Sequence, residues 1–302
     1  MFAKRSQLTA AGAVGVALAL SGCGIGTTSL GLGGGAAQTG PSGSVSDQLA
    51  KLVPANIKAK GTLTVGTDAS YQPNEFLARD GQTVQGMDID LLTAAAQKLG
   101  LKLKFQNAKF DSIIPGVAGG KYDLATSSFT ITPDRLKQVT MVSYFSAGTQ
   151  WIAQKGNPKK VDPTNPCGLT VGVQTGTTQA DEVAAINKDQ CKSKPIKPVI
   201  EDLQSKVTTD LLAGKVDAMA ADSPVALYAV KQTGDKLQAV GKITGAAPYG
   251  MVLPKDAIDL GNAIAQSFAA MVADGSYDKI LAKWAQQSGA VDMFAVNPAV
   301  AG

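Results

Sequence analysis

The chain has 302 residues, 44% of them hydrophobic, which is enough for the buried core of one large globular domain or two ordinary ones. Its formal net charge of +4 is modest and no basic run is interleaved with aromatic residues, so we do not expect a nucleic-acid partner. Histidine is absent, which excludes Ser-His-Asp and Cys-His catalysis and removes the commonest zinc ligand. We therefore expect neither a metal nor a cofactor.

The N-terminal segment has the pattern of a targeting signal. Lys4 and Arg5 precede an apolar run of mostly small residues, 8–20, which is too short to span a membrane. The run ends in Leu20-Ser21-Gly22-Cys23, which resembles the bacterial lipobox, in which the cysteine becomes the first residue of the mature protein and carries the lipid. We predict a lipoprotein signal peptide at 1–22; an ordinary signal peptide with an incidental cysteine is the alternative.

Residues 23–57 are rich in Gly, Ser, Thr and Ala, a composition typical of a flexible tether. A short helix is predicted within it near residues 45–52. Such a tether would hold a lipid-anchored domain clear of the membrane surface.

The first half of the remaining chain alternates strand and helix patterns. Residues 63–66 alternate as a strand, and residues 88–100 keep apolar residues at helical spacing before a terminal glycine. Residues 101–105 alternate again. This succession predicts an α/β layer.

A buried strand then leads into a predicted anion site. The strand ends in hydroxyl residues, and Thr132-Pro133 predicts the start of a helix. Arg135 falls in the first turn of that helix, where a cation is unfavourable unless an anion offsets it. We predict that Arg135 binds a carboxylate, with Ser128 and Thr130 as further donors. A surface ion pair between Arg135 and Asp134 is the alternative.

Two further cysteines, Cys167 and Cys191, lie 24 residues apart in a chain predicted to be exported. A disulfide is the favoured interpretation, and two free buried thiols are the alternative.

The second half repeats the plan of the first. Leu-Thr-Val-Gly at 63–66 recurs at 169–172, and Gly-Lys-x-Asp at 120–123 recurs at 214–217. Eight residues beyond the repeated glycine stand Ser128 in one half and Asp222 in the other, both at the end of a predicted strand. Ligands collect at that edge of α/β sheets, so Asp222 would bind an ammonium group opposite the anion site.

Other polar or aromatic residues follow predicted strands, namely Asp68, Tyr71, Phe110, Thr175 and Thr178. We interpret Tyr71 and Phe110 as walls of a pocket; ordinary core packing is the alternative for a single aromatic residue.

Three segments resemble a known family, namely residues 86–96, 130–135 and 275–284. The first of them enters a helix and carries acids at Asp88 and Asp90. Residues 61–289 are similar in this way to bacterial solute-binding protein family 3, the substrate-binding lipoproteins of ABC transporters for polar amino acids. Asn74 stands where the family usually carries Phe, which implies a more polar pocket wall.

The resemblance implies an α/β fold of the periplasmic-binding-protein-like type II, with two α/β lobes joined by a two-segment hinge. The crossovers would lie at 148–155 and 240–247. Lobe 1 would take residues 58–149 and 246–302, and lobe 2 would take residues 150–245.

The resemblance also implies a binding site for a free amino acid. Arg135 would bind the α-carboxylate with help from Thr178, and Asp222 would bind the α-ammonium group. The full set of expected ligand-binding residues is Asp68, Tyr71, Glu75, Phe110, Ser128, Phe129, Thr130, Arg135, Thr175, Thr178 and Asp222.

The expected function is capture of an amino acid by a monomeric, extracytoplasmic protein, anchored to the membrane through Cys23, for delivery to an ABC permease. The acids at 68, 75 and 222 favour a cationic or amide side chain on the ligand. Two alternatives stay open. One is a dehydratase-like exported enzyme of the same fold, with one of these acids as general acid or base. The other is a ligand sensor for a signalling partner.

Overall fold

A computed structural model describes residues 45–300. The helices are α1 (Val45–Lys51), α2 (Ala55–Lys60), α3 (Met87–Lys98), α4 (Phe110–Ala118), α5 (Pro133–Gln138), α6 (Thr178–Asp189), α7 (Gln204–Leu212), α8 (Ser223–Thr233), α9 (Ile258–Ala273) and α10 (Ser276–Lys283). The strands are β1 (Thr62–Thr67), β2 (Ser70–Tyr71), β3 (Glu75–Leu77), β4 (Val84–Gln85), β5 (Lys102–Asn107), β6 (Leu124–Ala125), β7 (Thr140–Gln154), β8 (Thr170–Gln174), β9 (Lys197–Glu201), β10 (Ala218–Asp222) and β11 (Leu237–Leu253).

Eight strands form one continuous sheet in the order β5-β1-β6-β11-β7-β10-β8-β9. The two long antiparallel strands β7 and β11 run through its centre, and their register is irregular between Val240 and Ala247. On one side of them β5, β1 and β6 pair in parallel, and on the other side β9, β8 and β10 do the same. We call the half containing β1 lobe 1 and the half containing β8 lobe 2; β7 and β11 connect them.

The repeated sequence motifs explain the matching order of the two halves. The repeated Leu-Thr-Val-Gly lies in β1 and in β8, each of which is flanked by the two other parallel strands of its lobe. A Cβ atom on Gly66 would lie 2.8 Å from the Tyr122 ring, and one on Gly172 would lie 2.9 Å from Val207. The glycine therefore allows a large side chain to pack directly on the central strand in both lobes.

The predicted tether and the described structure overlap at residues 45–57. The short helix predicted near residues 45–52 is confirmed as α1, but the segment is packed against the domain. These residues are helical at α1 and in part of α2, and Leu49 and Val53 are buried in the same core cluster as residues of α9. Burial of these two apolar side chains against the domain stabilises the segment. The predicted signal peptide at 1–22, Cys23 and the tether at 23–44 lie outside the described residues.

The predicted disulfide is confirmed, since Cys167 and Cys191 are bonded. It joins the segment before β8 to the segment after α6 within lobe 2. Across residues 45–300, no helix combines the length and the apolar character needed to cross a membrane.

Candidate ligand-binding site

The two lobes contact each other where the strands of both end. Tyr71 of lobe 1 donates from Oη to Oδ2 of Asp222 in lobe 2 at 2.9 Å, and both residues are buried. Arg135 of lobe 1 donates from Nη2 to the Gly176 carbonyl oxygen of lobe 2 at 3.0 Å. The carboxyl ends of β6 and β10 thus face one cleft, as expected for a ligand site of an α/β fold.

Arg135 is positioned by the start of α5. The Thr132 side chain caps this helix by accepting from the Arg135 backbone N–H at 3.2 Å. The guanidinium donates from Nη1 to the Thr130 carbonyl oxygen at 2.8 Å and lies 5.6 Å from the ring centres of Phe110 and Phe129, which stack on each other. Desolvation lowers the pKa of Arg135, although Asp222 opposes this.

The alternative prediction for Arg135, a surface ion pair with Asp134, is not observed. Asp134 pairs with Lys137 at 2.7 Å on the exposed face of α5. A guanidinium has five N–H donors, so the bonds of Arg135 to two carbonyl oxygens leave donors for a ligand anion.

Asp222 ends β10 and is buried at the cleft. It accepts from Tyr71 and also from Gln179 Nε2 at 2.9 Å. Burial raises the pKa of Asp222, and the hydrogen bonds it accepts lower the pKa again. The Asp222 carboxylate can accept further hydrogen bonds, and its negative charge favours a positively charged donor such as an ammonium group.

A cavity of about 240 Å³ lies against Asp222. Its lining residues come from both lobes and from the connecting strands and are Thr130, Ala147, Gly148, Thr149, Thr178, Gln179, Glu182, Asp222 and Gly245. The structure therefore brings three predicted residues, Thr130, Thr178 and Asp222, to one cavity. Thr178 is the first residue of α6, so the N-terminal end of that helix borders the cavity.

A second cavity, of about 310 Å³, lies between the lobes and is lined among others by Ser70 and Gln72 of lobe 1 and by Gln204, Thr208 and Tyr228 of lobe 2. It is larger, but its lining residues include no charged side chain. The Asp222 carboxylate therefore makes the 240 Å³ cavity the better match for an ammonium group.

Ser128 and Glu75 lie in a buried network instead of at the 240 Å³ cavity. The Ser128 backbone N–H donates to Asp88 Oδ2 at 3.0 Å, and its hydroxyl accepts from Asn74 Nδ2 at 2.9 Å. Glu75 is fully buried and accepts weakly from the hydroxyls of Ser127 and Ser128. Asn74, expected to make the pocket wall more polar, is buried in the same network.

The electrostatics of this network centre on two carboxyl groups. Burial and the neighbouring Asp88 raise the pKa of Glu75 well above its usual range. Burial raises the pKa of Asp88 to about 6, although the Tyr144 hydroxyl and the Ser128 N–H, which both donate to it, lower it.

The other predicted residues are distributed around the cleft. Asp68 is buried and accepts from the Ser70 N–H at 3.0 Å, and burial raises its pKa. Phe110 and Phe129 line a separate cavity of about 190 Å³ together with Arg135. Thr175 is half-buried, donates from its backbone to Glu201 and does not line the 240 Å³ cavity.

The predicted set lacks several residues at the cleft, among them Thr149, Glu182, Gln179 and Gln174. Gln179 bridges Asp222 and Thr149, and its position directly after Thr178 was the available signal. Gln174 donates to Asp68 at 2.6 Å. It stands at the repeat position equivalent to Asp68, so the repeated Leu-Thr-Val-Gly motif identifies it.

The sequence profile of the bacterial extracellular solute-binding proteins, family 3, matches residues 63–287. The chain belongs to this family. The predicted resemblance is thereby confirmed over most of the described residues.

Individual relatives agree with this assignment. The arginine-binding protein ArgT of Corynebacterium glutamicum is 32% identical over 253 residues, which are 83% of this chain and 83% of ArgT. An ancestral arginine-binding protein solved bound to arginine is 38% identical with a TM-score of 0.69, covering 74% of this chain and 98% of that chain. An ancestral arginine-binding protein solved bound to glutamine is 37% identical with a TM-score of 0.68, covering 75% and 98%. The expected type II fold with two α/β lobes is confirmed for this family 3 protein.

Proposed function

We propose that this family 3 protein binds a free amino acid between its lobes and delivers it to an ABC importer. The observation that carries the proposal is that Arg135 of lobe 1 bonds Gly176 of lobe 2 and Asp222 of lobe 2 bonds Tyr71 of lobe 1, so that the charges of Arg135 and Asp222 attract each other across the cleft. A cation and an anion held on opposite lobes match the carboxylate and ammonium groups of a zwitterion.

In this proposal each end of the ligand has its own donors and acceptors. Arg135 binds the α-carboxylate, with the hydroxyls of Thr130 and Thr178 and the N-terminal end of α6 as further donors. Asp222, held by Gln179, binds the α-ammonium group. Because the two partners belong to different lobes, the ligand favours the closed arrangement.

We propose arginine as the ligand. Asp68 supplies a buried carboxylate near the cleft that would pair with a cationic side chain. The names of ArgT and of the ancestral relative bound to arginine support the same choice. Glutamine is the second candidate, because an ancestral relative was solved bound to it and an amide also suits an acidic acceptor.

The remaining parts of the chain would serve delivery. We assign residues 58–149 and 246–302 to lobe 1 and residues 150–245 to lobe 2. The signal peptide would be removed and Cys23 lipidated, so that a monomer, anchored outside the cytoplasm, presents its closed lobes to the permease. No catalytic role is assigned to Asp68, Glu75 or Asp222.

The first test is calorimetric titration of residues 24–302, refolded to remove carried-over ligand, with the twenty amino acids. We expect arginine to bind and both Arg135→Ala and Asp222→Ala to weaken it about 30-fold or more, since each leaves a buried charge without its partner.

Lys137→Ala is the matched control, because Lys137 lies on the exposed face of the same helix as Arg135. It should leave the Kd unchanged. Arginine binding that survives the loss of Arg135 would refute the proposed clamp.

A further inference from the structure

The cavity of about 310 Å³ between the lobes is separate from the proposed amino-acid site. It shares no lining residue with the 240 Å³ cavity, and none of its lining residues belongs to the predicted ligand-binding set. Lobe 1 lines it with residues of 69–77, which include the paired strands β2 and β3, and lobe 2 lines it with residues of α7 and α8. The cavity therefore lies where the β2-β3 hairpin of one lobe meets two helices of the other.

Hydrogen bonds between the lobes border this cavity. The Gln204 backbone N–H, at the start of α7, donates to Ser70 Oγ of lobe 1 at 3.1 Å. Leu203, the residue before α7, has no side-chain acceptor for this helix, so Ser70 supplies one from the other lobe. Gln72 Nε2 of lobe 1 donates to Tyr228 Oη of α8 at 3.2 Å. Separation of the lobes would break both bonds and divide the cavity.

The Gln204 side chain carries a donor that has no acceptor. Gln204 is 1% exposed, and its Nε2 has no hydrogen-bond partner within residues 45–300. A buried N–H without an acceptor is costly, which indicates that an acceptor belongs beside it. Because Gln204 lines the cavity, a molecule bound there can supply that acceptor.

The lining of the cavity defines the chemistry of such a molecule. Phe76 and Val225 contribute apolar surface and Ser205 contributes a hydroxyl, but no lining residue is charged. An ion would leave water without an opposite charge, and the neighbouring carboxylate of Asp68, which accepts from the Ser70 N–H, further disfavours an anion. A cation without an oxygen offers no acceptor to Gln204. The lining therefore favours an uncharged molecule with an alkyl group and a carbonyl or hydroxyl oxygen.

We propose that this cavity is a second ligand site, which binds a small uncharged molecule of this kind through Gln204 Nε2 and is complete only when the lobes are closed. Its volume is at the lower end of the range of small-molecule sites, which begins at about 300 Å³. The dependence on closure rests on the proposed function, in which an amino acid closes the lobes. A molecule in this site and an amino acid in the cleft then strengthen each other's binding, because both favour the same arrangement of the lobes.

The first test compares three molecules of nearly equal shape, isobutyramide, isobutyrate and isobutyramidinium. Of these, only isobutyramide is both uncharged and an acceptor. Saturation-transfer NMR of the chain 24–302, with and without L-arginine, measures their Kd values. We expect isobutyramide to bind with a Kd on the order of 1–10 mM and both ions to bind at least about tenfold more weakly.

Two variants locate the bound amide. Gln204→Met keeps the length of the side chain without its N–H donors and should weaken isobutyramide about tenfold. Ser205→Phe fills the cavity from an exposed position of α7, where folding tolerates the change, and should abolish isobutyramide binding. Gln190→Met is the matched control, because Gln190 is an exposed glutamine of lobe 2 that does not line this cavity. It should leave the Kd of isobutyramide unchanged.

The second test measures the coupling to closure by calorimetry. With isobutyramide at one to ten times its own Kd, the Kd of L-arginine should fall about two- to tenfold. Saturating L-arginine should lower the Kd of isobutyramide in return, since coupling between two sites is reciprocal. Neither effect should occur in Ser205→Phe.

The outcomes separate this inference from the proposed function. A chain that binds arginine but not isobutyramide overturns the second site alone, because the cavity then holds only water. Tighter binding of either ion than of the amide overturns the uncharged ligand class, and amide binding that survives both variants overturns the location. Amide binding without any change in the Kd of arginine overturns the dependence on closure. A chain that binds isobutyramide in this cavity but no amino acid refutes the proposed function and leaves the second site standing.

Discussion

At the scale of single residues, Glu75 and Asp88 form a buried pair of carboxyl groups that both have raised pKa values. Neither side chain is exposed, and Asp88 takes donors from Tyr144, Thr126 and the Ser128 backbone. Asp88 is thus the better stabilised anion of the two, and burial together with Asp88 raises the pKa of Glu75 well above its usual range. The pair supports the segment that carries Ser128, whose φ of 52° lies in the left-handed region.

We predict that Glu75→Gln changes the pH dependence of stability. The raised pKa means that folded Glu75 binds its proton more tightly than unfolded Glu75, so the free energy of unfolding falls as pH rises from about 4.5 through the folded-state pKa. Glutamine does not titrate and can donate to Asp88 in place of the protonated acid. The variant should therefore be more stable at pH 7, by about 1 kcal/mol or more.

Urea unfolding at pH 4.5, 7 and 9 measures this difference. Asp235→Asn is the control, since the Asp235 side chain is fully exposed. Parallel stability curves for wild type and Glu75→Gln would show that Glu75 is ionised in the fold.

At the scale of elements, the central strands β1 and β8 depend on their glycines. Of the two repeated glycines, Gly66 has the closer neighbours, since an added Cβ would lie 2.8 Å from Tyr122 and 3.1 Å from Ile113, both buried. These neighbours belong to α4 and to the segment before β6, which cannot move without disturbing the layer.

We predict that Gly66→Ala lowers the free energy of unfolding by about 1–3 kcal/mol, the usual cost of overpacking. Gly172→Ala should behave similarly in lobe 2, because its Cβ would meet Val207 at 2.9 Å. Thr62→Ala, at an exposed position of β1, is the control for denaturant unfolding. A Gly66→Ala variant as stable as this control would mean that the layer relaxes around the methyl group.

At the scale of the whole molecule, the contacts between the two lobes differ in burial and therefore in how much they stabilise closure. The bond between Tyr71 and Asp222 is buried, whereas the ion pair of Lys109 and Asp202 links the lobes at the surface, with side chains 63% and 56% exposed. Solvent screens the exposed pair, so its contribution to closure is small despite the 2.5 Å separation of its charged atoms.

We predict that Lys109→Ala weakens amino-acid binding by less than about fivefold at low ionic strength and has no effect at 0.5 M salt, where the Debye length is roughly 4 Å. Titration calorimetry at the two salt concentrations tests this. A larger effect that persists in high salt would show that Lys109 contributes by contact with the ligand or by packing.

The sequence by itself determined the plan of the molecule. The two copies of Leu-Thr-Val-Gly predicted matching α/β halves, and Thr132-Pro133 predicted a helix start with Arg135 in its first turn. The spacing of Cys167 and Cys191 in a chain predicted to be exported indicated their disulfide. The helix start and the strand patterns depend on the backbone preferences of residues that are neighbours in the chain, so they can be read from the sequence alone.

Only the tertiary structure decided which polar side chains remain at the cleft. Ser128 and Glu75 stand close in sequence to cleft residues, but α3 brings Asp88 against them, Tyr144 of β7 donates to Asp88, and the network buries both. Gln174 and Gln179 stay at the cleft because Asp68 and Asp222 lie opposite them. The hydrogen bonds of Asp88 with Ser128 and Tyr144, of Gln174 with Asp68 and of Gln179 with Asp222 join residues 40 to 106 positions apart in sequence. Which partner each polar group takes is therefore decided only when the elements pack.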